Sequence, residues 1–133
     1  MNPLPTIFNY LQYLLSAKTK HDIHSTFVYE LITKVFNDKK DYEEYEVVND
    51  LRKRMLQNEQ IISVTDFGAG SHVHSSRERK IKDIARHSAK NKKYGQLLFR
   101  LVNYLQPNNM LELGTSLGIS SSYLALGNRG GKL

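Results

Sequence analysis

The stretch that most constrains this chain is Leu111-Glu112-Leu113-Gly114-Thr115-Ser116-Leu117-Gly118-Ile119-Ser120. An apolar run beginning at Met110 carries an acid near its end and passes directly into a glycine turn. The segment from Ile119 to Leu126 then reads as the start of a helix. Gly114 can take backbone angles closed to other residues, and Gly118 lets a ligand or a neighbouring backbone come close. A turn of this kind aims the unpaired N–H groups of the helix start at whatever lies above the strand. Strand, tight turn and helix are therefore expected in that order.

Such a unit opens nucleotide-binding α/β folds. The spacing here is G-x-x-x-G, not the dinucleotide fingerprint G-x-G-x-x-G, which disfavours a nicotinamide or nucleoside-phosphate site. By spacing alone, a cofactor turn and an ordinary strand-to-helix turn both stand. Three segments add to this: Lys93-Tyr94-Gly95-Gln96-Leu97-Leu98, then Leu111-Glu112-Leu113-Gly114, then Gly118-Ile119-Ser120. Together, from about Lys92 to Ala125, they resemble S-adenosylmethionine-dependent O-methyltransferases of the catechol and caffeoyl-CoA type. His24-Ser25-Thr26-Phe27-Val28-Tyr29-Glu30-Leu31 resembles the N-terminal region of bacterial methyltransferases of this class. Those relatives usually carry proline where this chain has Thr26.

The resemblance implies an α/β fold. A mostly helical N-terminal cap, residues 1–106, would precede the first βα unit of a Rossmann-like domain at 107–133. It implies S-adenosyl-L-methionine as cofactor and a small-molecule hydroxyl as methyl acceptor. By resemblance, Glu112 would help position the methionine end of the cofactor, with backbone N–H groups from Gly114 to Gly118 around it. Ser120 would meet the cofactor carboxylate, and Thr115 and Ser116 complete the set more weakly. Asp66, Gly68, Gly70, Ser71, Lys93 and Tyr94 are the substrate-side candidates, from their location in the cap. No catalytic residue is assigned.

A second glycine-rich stretch, Asp66-Phe67-Gly68-Ala69-Gly70-Ser71, follows the short apolar run Ile61-Ile62-Ser63-Val64. In isolation it is the better-looking cofactor loop. A cofactor-binding first strand, however, should be followed by a helix and a second strand closing in an acid about 20 residues on. Ile81, Ile84, Ala85 and Ala89, then Tyr94, Leu97, Leu98, Leu101, Val102 and Leu105, instead give two sets with helical periodicity. The earlier stretch is therefore expected to be a turn packed near the site, and the later one the cofactor turn.

Elsewhere the pattern predicts helices over about 6–18, 26–37 and 41–58. Ser25 is the expected N-cap of the second. Asp41 and Glu44 form an expected capping box for the third, with Arg52-Lys53-Arg54 facing water. Pro107 ends the helix that starts after Asn91. Lys132-Leu133 reads as the beginning of a second strand. A parallel sheet needs crossovers and further strands. The chain is thus expected to be a fragment that binds S-adenosylmethionine weakly or not at all. The unpaired edges of 110–113 would favour a homodimer.

Charge sets the competing class. The net charge is +6, and Arg77, Arg79, Lys80, Lys82, Arg86, Lys90, Lys92 and Lys93 are opposed locally only by Glu78 and Asp83. Such a run suits a solvated helix face first, and otherwise a non-enzymatic helical module that binds nucleic acid or another polyanion. His72 and His74 lack a further evident ligand, so no metal site is expected. His21 and His24 flank a helix start, where surface or capping roles outweigh general-base chemistry. The absence of cysteine excludes a disulfide framework and a thiolate nucleophile. No apolar run approaches the ~20 residues of a membrane span. No basic segment followed by an apolar core marks the N-terminus as a secretory signal, and the cytoplasm is the expected compartment.

Overall fold

A computed structural model describes residues 4–17, 24–64, 78–87 and 89–133. The described residues are mostly helical, with one two-stranded antiparallel sheet, and the chain divides into two units, Met1–Asn37 and Asp38–Leu133.

The first unit holds α1 (Leu4–Ser16) and α2 (Thr26–Leu31), which continues as a π-helical turn over Ile32–Phe36. Ser25 caps α2 as expected, its hydroxyl accepting from the Val28 N–H at 3.4 Å. The widening to a π turn was not expected. Thr33 Oγ1 donates to the Tyr29 carbonyl at 2.8 Å, competing for the acceptor of the regular ladder. The Asn37 N–H reaches five residues back to Ile32. The apolar stripe of α1 has no buried member, and of the α2 stripe only Val35 is buried.

The second unit is built on α3 (Glu44–Gln57), α4 (Ile81–His87), α5 (Lys92–Leu105) and α6 (Ile119–Gly127). The expected Asp41–Glu44 capping box does not form. The helix starts two residues later than that box requires, and Glu43 at the cap position makes no side-chain bond. Tyr45 and Glu46 instead donate to the carbonyls of Tyr42 and Glu43. Asp38 supplies the local order, accepting from the Lys40 N–H and from the Tyr42 hydroxyl, both at 2.8 Å.

Two helices carry the core. Gly95, Phe99 and Val102 are buried on α5, and Ile119, Tyr123 and Gly127 on α6, each set at helical spacing. Tyr45 and Val48 of α3 close the cluster, with Tyr42 and Met55 packed against it. The ring centroids of Tyr42 and Tyr45 lie 4.9 and 5.2 Å from that of Phe99, and Tyr45 is 6.2 Å from Tyr123, tilted or edge-on. These rings belong to, or pack against, the core cluster of this unit.

β1 (Ile61–Ser63) lies where the short β-branched run predicts a strand. Its partner β2 (Glu78–Lys80) was not expected, because Glu-Arg-Lys carries no apolar alternation. The pairing is antiparallel, with Ile62 opposite Arg79. The segment holding Asp66, Gly68, Gly70 and Ser71 lies outside the described residues, but the strands on either side of it are antiparallel neighbours. A parallel first strand crossing through a helix would not be paired this way.

Met110–Leu113 is not a strand here. A single parallel bridge joins Asn109 to Lys132. Met110 donates to the Lys132 carbonyl at 2.7 Å, and Lys132 donates to Asn108 at 2.9 Å. A ladder needs a partner along its whole length. Beyond that bridge, Leu111 and Leu113 are 86% and 88% exposed. Extended segment, helix and parallel return nonetheless occur in the expected order.

Candidate small-molecule site at the glycine turn

The turn between Leu113 and α6 is shaped by three left-handed residues at alternate positions. Their φ values are +85° at Gly114, +53° at Ser116 and +75° at Gly118. Ser116 pays for that conformation sterically, because its Cβ crowds the following carbonyl. Gly118 caps α6 through its backbone: its N–H donates to the Thr115 carbonyl at 3.0 Å, and its own carbonyl accepts from the Ser122 N–H and hydroxyl.

Glu112 is half-buried beside the first turn of α6. The Ser121 hydroxyl donates to its Oε2 at 2.5 Å. Burial works to raise the carboxyl pKa, but hydroxyl hydrogen bonds from Ser120, Ser121 and Thr115 outweigh it and hold the group below its ordinary value. The site therefore keeps a carboxylate at neutral pH.

A cavity of about 230 Å³ opens over this turn. Glu112, Gly114, Thr115, Ser116 and Ser120 all line it, so the structure brings together five of the six expected cofactor residues. Gly118 shapes the turn without lining the space. Ser120 turns its hydroxyl toward Glu112. The volume is smaller than the ~300–1,000 Å³ of typical small-molecule sites. It suits an amino-acid-sized group better than a whole nucleoside.

A further part of the lining was not expected. It comes from Ala89 and Lys90, just before α5, and from Leu98 on α5. Lys93 and Tyr94, the substrate-side candidates on α5, do not line this cavity. Their local role is in the helix start, where Asn91 Oδ1 accepts from the Tyr94 N–H at 3.1 Å. Leu98 lies one helical turn beyond Tyr94, and the sequence marked it only as an apolar member of that helix and of the segment 93–98. Lys90 was legible only as one cation among many.

Arg52 also departs from expectation. It does not simply face water: its Nη1 donates to the Lys90 carbonyl at 2.5 Å.

Within the basic run, Lys80 Nζ lies 2.9 Å from Glu59 Oε2, and Lys82 pairs with Oε1 of the same carboxylate. The two lysines pull the Glu59 carboxyl down to about 2. Two cations of the patch are thus already countered, which weakens it as a polyanion surface. No group of three metal-ligating side chains occurs among the described residues, and His21, His72 and His74 lie outside them. Among the described residues no helix is long and apolar enough to cross a membrane. Comparison with protein-family models, curated proteins and solved structures finds no match.

Proposed function

We propose that this chain carries the methionine-binding corner of an S-adenosylmethionine-dependent methyltransferase of Rossmann-like fold, acting on a small-molecule hydroxyl. One observation carries the reading. A carboxylate, Glu112, is kept ionised by hydroxyl donors beside a cavity whose floor is a left-handed glycine turn at a helix start. The parallel bridge between Asn109 and Lys132 supports it, as the seed of a βαβ crossover.

The residues fit the amino-acid end of such a cofactor. Glu112 offers a charge-assisted acceptor for an α-ammonium group. The N–H groups around the turn and the start of α6 favour a carboxylate by about 0.3–1 kcal/mol per interaction. A bound cofactor would be held here by Glu112 and the turn N–H groups, and it would supply an electrophilic methyl group on its sulfonium. The contribution of this chain to that chemistry is to fix the donor's orientation, so that the acceptor meets it in line. At about 230 Å³ the cavity suits the amino-acid end alone, so the chain should bind the cofactor weakly.

The test is a titration of the ¹⁵N-labelled protein with S-adenosylmethionine, following the Gly114 and Gly118 amides. Saturable shifts at those two amides, lost in Glu112→Gln, are the expected result. Shifts absent up to millimolar ligand would overturn the reading. Salt-sensitive retention on heparin by a chain that ignores the cofactor would favour the basic binding module instead.

A further inference from the structure

Arg52 and the cavity belong to distant parts of the sequence, yet one hydrogen bond joins them. Arg52 sits on α3, 38 positions before Lys90. Its guanidinium donates to the Lys90 carbonyl, within the short segment that lines the same cavity as Glu112. Just beyond, Asn91 caps α5 by accepting from the Tyr94 N–H. The wall is thus held at its far end by a helix cap and at Lys90 by a cation from another helix.

We propose that Arg52 is a positioning residue for this site: by gripping the Lys90 carbonyl it sets the distance between the Ala89–Lys90 wall and the carboxylate of Glu112. Several features support this. The bond is charge-assisted, which makes it stronger than an ordinary backbone contact. Its acceptor is a main-chain carbonyl, so it acts on the path of the chain and not on one rotamer. The guanidinium is a fixed planar fork on a helix that packs against both α4 and α6, so its base is rigid. Finally, the wall it holds brings Lys90 to the same cavity as Glu112. A lysine and a carboxylate lining one cavity suit an α-amino-acid zwitterion, and the fit depends on their separation.

The inference rests on the proposed function for its ligand but not for its geometry, and the experiment separates the two. Arg52→Met and Arg52→Lys are compared with the unaltered chain by backbone NMR. In Arg52→Met the Lys90 carbonyl ¹³C resonance should shift. Order parameters at Lys90 and Asn91 should fall from the ~0.85 of rigid backbone toward ~0.6. The amides of Phe99 and Tyr123 should keep their exchange protection. Arg52→Lys, which keeps a single donor, should recover part of the rigidity. S-adenosylmethionine affinity, read at the Gly114 amide, should drop about tenfold in Arg52→Met, as expected when a binding wall moves. Unchanged order parameters at Lys90 overturn the proposal, and so does equal loosening of Phe99 and Tyr123, which would mark a general packing role. An unchanged affinity alongside a loosened wall overturns it as well. A chain that binds no S-adenosylmethionine at all sinks the proposed function, while the order parameters still decide whether Arg52 sets the wall.

Discussion

Gly95 of α5 lies directly against the ring of Tyr123 on α6. A Cβ placed on Gly95 would fall 2.5 Å from Tyr123 Cδ2 and 3.0 Å from Cζ. The glycine is there because the ring occupies the space a side chain would need. This contact fixes how closely α5 and α6 approach, and so where the turn leading into α6 sits relative to Leu98.

Gly95→Ala should therefore destabilise the protein despite improving helix propensity. Overpacking costs about 1–3 kcal/mol, while the helix gains back about 1 kcal/mol. Urea unfolding should show a lower midpoint with little change in slope. Coupling to Tyr123→Leu should recover part of the loss, since the two positions touch. An alanine variant as stable as the parent would show that the ring moves aside freely.

Ser116→Gly should stabilise the chain slightly. The left-handed backbone costs a side chain about 1–2 kcal/mol, and the greater freedom of glycine when unfolded offsets about 0.4–1 kcal/mol of that. A rise of about 0.5–1 kcal/mol in unfolding free energy is expected, with the Gly114 and Gly118 amides unshifted. A loss of stability would mean that the Ser116 side chain holds the turn.

Glu59 gives a pH signature. Its folded pKa, about 2, is below the ordinary 4.5, so it stabilises the fold fully above pH 4.5 and progressively less as pH falls toward 2. The difference in thermal midpoint between the parent and Glu59→Gln should be constant from neutral pH to about 4.5 and shrink below it. Because the pair lies at the surface, added salt should narrow the difference at every pH. A gap that is indifferent to both pH and salt would show that the lysines do not engage this carboxylate in solution.

The exposed pair Leu111 and Leu113 should promote self-association through the unpaired segment after Asn109. Sedimentation should show a dimer whose population rises with concentration, and Leu113→Lys should abolish it. A single monomeric species at all concentrations would refute the edge-pairing idea.

Much of the local structure was legible because its causes are local. Ser25 caps α2 with its own hydroxyl, Pro107 stops α5 by lacking an N–H, and Gly114 and Gly118 mark the turn by needing positive φ. The candidate carboxylate was legible too, as an acid at the end of an apolar run before that turn. The failures share a different cause. The Asp41 cap did not form because α3 starts only at Glu44, with Glu43 in the cap position. Strand β2 was invisible because its pattern is charged and only its register with β1 makes it a strand.

Local residues were enough to mark the cap of α2, the end of α5, the glycine turn before α6 and the carboxylate that stands at that turn. Only the long-range packing brings Lys90 and Glu112 to one cavity, sets the Arg52 guanidinium against the Lys90 carbonyl, and leaves Met110–Leu113 with a single bridge among the described residues. Caps, breaks and turns are settled by residues within a few positions of one another. A cavity wall or a strand pair depends on partners tens of residues away, and no local pattern specifies which partner arrives.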